Sequence, residues 1–508
     1  MAQNRHVLLP LVFASITALA FDAATIRPTF DPASIQGRVR AAGDRVEGVH
    51  AGAPSPLAER VLAAVPELAR WDAWYAHPPS LRNGHAHTIL AAKLRKTRPV
   101  RYYRDLVPTP DGGTLAVDLL AGIRGAEETA PSSLLTGGAL PGAAEEDGFV
   151  TFVREPPPRD ASRPMLLLAS GLGGGSQDSY VRSMAASAAE RGWQVAVLNM
   201  RACGASPVTS PRLFSAYRGA NDDVRTAVRH LRATRLGGAG AAGGGRLAAI
   251  GWSNSGTIVN NVLAEQATTH GGEPLAAIDA AAALATPLNM PANSANLGRP
   301  FHRAVYDYNL GLSLRRLWAS ARDQYVDAAT GEAVPVPYWD GLSRPGQRQL
   351  DATGVGAVDA TATFVADDAL ARGARSIREL DEAVTRRQYG YASVDEYYAA
   401  ASSDQRIPLV GAPLLLLNAF DDPIVPGASL GDAIAHARAN PNVLLALTSH
   451  GGHMGWCDRD SPWDGPSWTE RVACGFLEAA LELEPTDGCV SDPTGARLES
   501  CEQVEVFD

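Results

Sequence analysis

The sequence predicts an α/β fold: a mostly parallel central sheet flanked by helices, interrupted late in the chain by a helical insertion. Three observations predict it. Short apolar runs alternate with amphipathic helical runs from residue 163 to 291. The alternation stops between 292 and 407, where the chain is polar, aromatic and helical in spacing, and then resumes. The residues that directly follow the apolar runs include a Ser, an Asp and a His. Continuous apolar strands joined by amphipathic helices are the pattern of β-α units, whose strands are buried on both faces.

The elements follow in order. "VRYYRDLVPTPDGGTLAVDLL" (100–120) reads as two strands joined by a turn at Asp111-Gly112-Gly113. "RPMLLLASG" is the first buried strand, and "DSYVRSMAASAAERG" a helix that stops at Gly192. "WQVAVLNMR" is the second strand. "NDDVRTAVRHLRATR" is a helix, with Asn221 expected as its N-cap and acids in its first turn. After the loop "GGAGAAGGG" come strand "RLAAIGWS", helix "GTIVNNVLAEQA" and strand "LAAIDAAAALATP". "GAPLLLLNAFDDPIVP" and "NVLLALTSHGGHMGW" restore two buried strands, and "SWTERVACGFLEAALEL" closes the chain as an amphipathic helix. The expected layout is a core over 77–291, a helical lid over 292–407 and a second core part over 408–484. A loose approach segment (22–76) precedes it and a polar tail (485–508) follows.

Bulk properties narrow the function classes. The chain has 508 residues, 45% of them hydrophobic and 20% charged, enough for one large core and against global disorder. A net charge of −10 leaves no basic surplus to neutralise phosphates, so a nucleic-acid partner is not expected. Five cysteines in such a length do not make a disulfide scaffold. Cys203 and Cys457 read as free thiols near the site, and Cys489 and Cys501 could pair if the protein is exported. At the N-terminus Arg5 precedes an apolar run, Val7 to Phe21, with Ala18-Leu19-Ala20 in the small-x-small form of a signal-peptidase site. A cleaved signal, an uncleaved signal anchor and a buried helix compete for residues 1–21. The preferred expectation is entry into the secretory or endomembrane pathway, with membrane association through this run.

The chemistry collects at the strand ends, where ligands of parallel sheets bind. "IGWSNSG" (250–256) nearly spells the Gly-x-Ser-x-Gly turn that exposes a serine nucleophile, with Ser255 in place of the last Gly. A strand before and a helix after favour Ser253 as the nucleophile over a plain Ser/Gly turn. A hydroxyl needs a base, and His453 in Gly-Gly-His-Met-Gly is aimed better than His450, which reads as structural. An imidazole needs a carboxylate, and Asp422 of "DDPIVP" supplies it, with Asp421 left to cap the turn. The chain order Ser, Asp, His is that of α/β-hydrolases. Backbone N–H groups of Leu172, in the loop after the first buried strand, and Asn254 are the expected oxyanion donors. That loop is not a phosphate loop, because Ser176 breaks Gly-x-Gly-x-x-Gly and no Gly-Lys-Ser/Thr follows. His85 and His87 read as a structural pair, not metal ligands. Neither a metal nor a cofactor is implied.

Five separated segments carry a resemblance. "SGLGGGSQDSYVRSMAASAAERGWQVAVLNMRACGASPVTSPRLFSA", "NGHAHTIL" (83–90), "SIRELDEAVTRRQYGYASVDEYYAAAS", "LLLLNAFDDPIVP" and "GGHMGW" resemble the ABHD-type lipase/esterases of the AB hydrolase 4 family. The resemblance spans about 77 to 480. It implies an α/β-hydrolase fold and Ser253, Asp422 and His453 as a triad. It also implies acylglycerols, medium-chain esters or phospholipids as substrates. Three positions depart from the family pattern: Ser255 where Gly is usual, Ser170 where the oxyanion loop opens with His, and His87 where Gln is usual. An acyltransferase that uses an alcohol in place of water is one rival reading. A catalytically silent fold that binds a lipid or a partner is the other. His453 through Asp458 also spells His-x-x-x-x-Asp, a pattern linked to acyltransfer, although Asp458 reads better as a loop residue.

Overall fold

The computed structural model describes residues 47–482 except 53, 71–72, 126–127, 130–148, 238–244, 269–276 and 338–362. The expected signal or anchor (1–21), the polar tail and the Cys489/Cys501 pair lie outside the described residues. Among the described residues no helix is long and apolar enough to cross a membrane.

Ten strands form one sheet. They are β1 (Gly48–His50), β2 (Val100–Pro108), β3 (Thr114–Ile123), β4 (Val150–Phe152), β5 (Met165–Ala169), β6 (Gln194–Asn199), β7 (Leu247–Trp252), β8 (Ala280–Leu284), β9 (Leu414–Ala419) and β10 (Val443–Thr448). Their order across the sheet is β1-β10-β9-β8-β7-β5-β6-β3-β2-β4. The six strands from β10 to β6 run parallel. The β2–β3 hairpin joins antiparallel through β3 against β6. At the other edge β1 pairs antiparallel with β10, inside the segment expected to be a loose approach.

Burial explains why these strands read as unbroken apolar runs. Met165, Leu167 and Ala169 face one hydrophobic layer, and Leu166 and Leu168 face the other. The same two-residue alternation holds along β7, β9 and β10, so each side chain meets a helix layer whichever way it points. Helices α1 (Pro56–Ala64), α3 (Ser179–Glu190) and α9 (Trp468–Ala480) cover the second face; α2 (Gly84–Leu94) lies over the strand ends. Helices α4 (Gly219–Arg235) and α5 (Asn254–Thr268) cover the first. Between β8 and β9 come α6 (Met290–Leu297), α7 (Tyr308–Ala321) and α8 (Val394–Ala401), with π-helical turns at Arg303–Asp307 and Asp381–Thr385.

One capping expectation fails. Helix α4 starts at Gly219, and Asn221 lies inside it, where its side-chain amide donates to Glu265. Of the acids expected in the first turn, Asp222 does lie there. Asp222 pairs with Arg225, and Asp223 with Arg201. Arg201, met at a strand end, is a buried clamp whose guanidinium is shared between Asp111 of the β2–β3 turn and Asp223 of α4. This pair of forked contacts fixes the hairpin to the parallel sheet.

Candidate active site

Ser253 directly follows β7, and α5 begins at the next residue. Its φ is 51°, in the left-handed region that non-glycine residues avoid. The strain persists because β7 and α5 converge here: a Cβ on Gly251 would overlap the Ser255 carbonyl, and one on Gly256 would overlap Thr286 Oγ1. The close approach therefore falls on positions 251 and 256. Position 255 is free to carry a hydroxymethyl group, which is why the turn survives the departure from Gly.

The residues expected at the other strand ends converge on Ser253. His453 Nε2 lies 3.0 Å from Ser253 Oγ, and His453 Nδ1 lies 2.8 Å from Asp422 Oδ2. The other Asp422 oxygen accepts the N–H groups of Ile424 and Val425, both at 2.8 Å. Asp422 thus folds its own turn as well as facing the imidazole, a role expected of Asp421. Asp421 instead crosses to the base loop and accepts the Gly452 N–H at 2.9 Å. His450 takes no part and packs on the His77 ring. Asp458 accepts the Trp468 N–H at the start of α9 and pairs with Arg471, a structural role.

The His453 loop is supported by α2 and its cap, a segment whose role the sequence did not disclose. Asn83 caps α2 by accepting the Ala86 N–H. One turn on, Thr88 Oγ1 accepts the His453 N–H at 2.8 Å while donating to the Gly84 carbonyl. A Cβ on Gly84 would overlap the Asp421 carbonyl, so only glycine lets α2 approach this closely. His87 is buried against the Leu81 carbonyl, and burial lowers its pKa to about 4. His85 contacts Tyr306 Oη at 2.6 Å, and it too is lowered to about 4 by burial. The two point to different partners. Among the described residues no cluster of His, Cys, Asp or Glu could hold a metal ion. Cys203 and Cys457 are buried free thiols, both raised to about 12 by burial.

The glycine loop after β5 is tied along its length. Ser255 Oγ donates to the Ser170 carbonyl at 2.5 Å. The Gly171 N–H donates to Tyr180 Oη at 2.9 Å. At the far end Ser176 gives its N–H to Asn199 and its hydroxyl to Asp118. Two departures from the family pattern therefore meet in one contact: the Ser255 side chain holds the Ser170 backbone, while Ser170 Oγ is buried with no hydrogen-bond partner among the described residues. The Leu172 and Asn254 N–H groups donate to no carbonyl among the described residues. Asn254 is the first residue of α5, whose early N–H groups have no partner within the helix. We expect Ser255→Ala to lower kcat about 3- to 10-fold with little change in KM, the scale of one hydrogen bond. Steady-state kinetics checks it, and a change confined to KM would show that Ser255 does not hold this loop for turnover.

The Asp421 carboxyl is buried, and desolvation raises its pKa to about 7. The folded protein therefore binds more protons than the unfolded chain between about pH 4 and 7, so this group makes stability fall as pH rises through that window. Asn at 421 keeps an acceptor for Gly452 and carries no charge. Asp421→Asn is expected to flatten the fall of Tm between pH 4 and 8, read by thermal denaturation. An unchanged profile would place the titration elsewhere.

Ser253 and His453 open into a cleft that encloses about 770 Å³ of free space, open solvent at its mouth included. The lining is largely apolar and draws on the strand-end loops and on the insertion between β8 and β9.

No family model matches the chain. It is 30% identical to the embryogenesis-associated protein EMB8 of Picea glauca over 410 residues, covering 80% of this chain and 72% of that one. It is 26% identical to the human phospholipase ABHD3, covering 78% and 77% of the two chains. It is also 26% identical to the monoacylglycerol lipase of Saccharomyces cerevisiae, covering 88% and 90%. With this identity, this coverage and a mostly parallel sheet that carries Ser, Asp and His at its strand ends, the chain belongs to the AB hydrolase 4 family of α/β-hydrolases.

Proposed function

We propose that the protein is a serine esterase that cleaves carboxylic esters of lipids through an acyl-enzyme on Ser253. The observation that carries this reading is the continuous hydrogen-bond chain Asp422–His453–Ser253 at the floor of an apolar cavity. Ser253 Oγ attacks the ester carbonyl carbon as His453 Nε2 takes its proton. The carbonyl oxygen gains the negative charge, and the Leu172 and Asn254 N–H groups receive it. Collapse of this intermediate breaks the bond to the alcohol oxygen, which leaves with the proton from His453. Water then repeats the sequence at the acyl carbon, releasing the acid and restoring Ser253. Asp422 holds the imidazole with Nε2 free to accept and stabilises its protonated form.

The apolar lining supports an acyl chain or lipid tail as the bound group, and the relatives named for phospholipase and monoacylglycerol lipase activity support acylglycerols, medium-chain esters or phospholipids. The helices between β8 and β9 act as the lid of this cavity. Hydrolysis of p-nitrophenyl esters from acetyl to palmitoyl, with labelling by a fluorophosphonate probe, tests the reading. Turnover and labelling that both require Ser253 are expected. Neither turnover nor labelling in the wild type would leave the silent lipid- or partner-binding fold in its place.

A further inference from the structure

The cavity wall is not uniformly apolar. Among residues such as Met290, Leu310, Ile377 and Val425 it exposes three polar side chains of the insertion: Asn293 of α6, Asp381 of the second π-helical turn and Tyr397 of α8. Tyr397 is occupied, since its hydroxyl accepts the Ala216 N–H at 2.8 Å. Asn293 is not. It is 7% exposed, its Oδ1 is buried without a partner, and its side-chain amide makes no hydrogen bond among the described residues. A buried amide with no partner is costly to fold around, which makes one facing a cavity a candidate ligand contact. Asp381 is 8% exposed and is held in place by the Tyr398 hydroxyl, which donates at 2.8 Å, and by the Thr385 hydroxyl. A carboxylate has about four acceptor positions, so these two donors leave room for another. Helix α6 packs on α8: Met290 joins the Tyr397 cluster and Ile377 packs on the Leu297 cluster, so Asn293, between Met290 and Leu297, and Asp381, one turn after Ile377, belong to the same stretch of wall. Asp381 also opens a π-helical turn, a distortion frequent at functional sites.

We propose that Asn293 and Asp381 form a polar subsite that takes a hydroxyl group of the substrate, so that the cavity selects hydroxyl-bearing esters over esters of the same length without one. The inference rests on the esterase reading above. A hydroxyl matches the pair because it can donate to an acceptor, the Asp381 carboxylate or Asn293 Oδ1, while accepting from the Asn293 NH₂ group. An anionic group is disfavoured by Asp381 with Asp307 beside it, and an ammonium group, which only donates, would leave the Asn293 NH₂ group without an acceptor. The hydroxyl can belong to the leaving alcohol, as in a partial glyceride, or to the acyl chain, as in a hydroxy fatty acid.

Two matched pairs separate these sources: glyceryl octanoate against propyl octanoate, and a hydroxylated ethyl octanoate against ethyl octanoate. On the full chain, kcat/KM is expected to favour the hydroxyl-bearing member of one pair by about 10-fold or more, because a site built to hydrogen-bond a hydroxyl discriminates against its absence. Asn293→Leu and Asp381→Asn should each bring that ratio towards one. Asn293→Leu should not lower Tm, since no protein hydrogen bond is lost. A flat ratio in the wild type for both pairs, a ratio unmoved by both variants, or a lowered Tm in Asn293→Leu would overturn the subsite. Fluorophosphonate labelling of the same preparation separates the two readings. Labelled protein with a flat ratio sinks the subsite alone, whereas unlabelled protein sinks the esterase and the subsite with it.

Discussion

Ser253→Ala is expected to cut kcat for ester hydrolysis by about 10⁴-fold or more, leaving only what binding and the oxyanion donors supply. The fold should be unaffected. Alanine faces the same left-handed backbone that serine already tolerates at φ 51°, and among the described residues the Ser253 hydroxyl hydrogen-bonds only to His453. Tm and far-UV circular dichroism should match the wild type. His453→Ala should fall to the same level, because an unactivated hydroxyl and an absent one are equivalent for attack. The double variant Ser253→Ala/His453→Ala should then be no worse than either single one, since groups that act as a unit are not additive. Multiplicative losses in the double variant would mean that Ser253 and His453 act independently, which the acyl-enzyme mechanism does not allow. A wild-type level of turnover in Ser253→Ala would move the nucleophile elsewhere.

The parts of this site that were legible in the sequence are those written in short-range pattern. Unbroken apolar runs marked β5, β7, β9 and β10 because both faces of these strands are buried. The residues just past their ends were then forced to one edge, so Ser253, Asp422 and His453 could be collected without coordinates. What holds them was not legible. Thr88 supports His453 from 365 residues away, and Ser255 holds Ser170 from 85 residues away. A threonine inside a helix and a serine in a turn have many uses, and nothing local singles out these. Asp421 and Asp422 show the limit most sharply. The pair was recognised, but which carboxylate folds the turn and which spans to Gly452 depends on where the base loop lands. Strand β1 was missed because three residues carry too little alternation to register, and its partner β10 lies at the far end of the chain.

Asp422→Asn should be nearly as damaging as loss of the nucleophile, although it changes one atom and keeps the shape. The reason lies in the two N–H groups of Ile424 and Val425, which both donate to Asp422 Oδ1. In an asparagine those donors keep the amide oxygen on their side, so the NH₂ group must face His453 Nδ1, 2.8 Å away. A donor there requires Nδ1 to be the acceptor and places the ring proton on Nε2. That proton then points at Ser253 Oγ, and the imidazole cannot take the serine proton. The expected loss in kcat is about 10⁴-fold, with KM for a medium-chain ester within a few-fold of the wild type, because the cavity wall is untouched. Asp422→Ala provides the contrast. It leaves Nδ1 without an imposed donor, so the ring can still adopt the productive tautomer, and it should retain more activity than the asparagine variant wherever its turn still folds. Tm should therefore fall in Asp422→Ala, which loses the acceptor of the Ile424 and Val425 N–H groups, and hold in Asp422→Asn, which keeps it. An asparagine variant as active as the wild type would show that His453 does not depend on Asp422 for its tautomer.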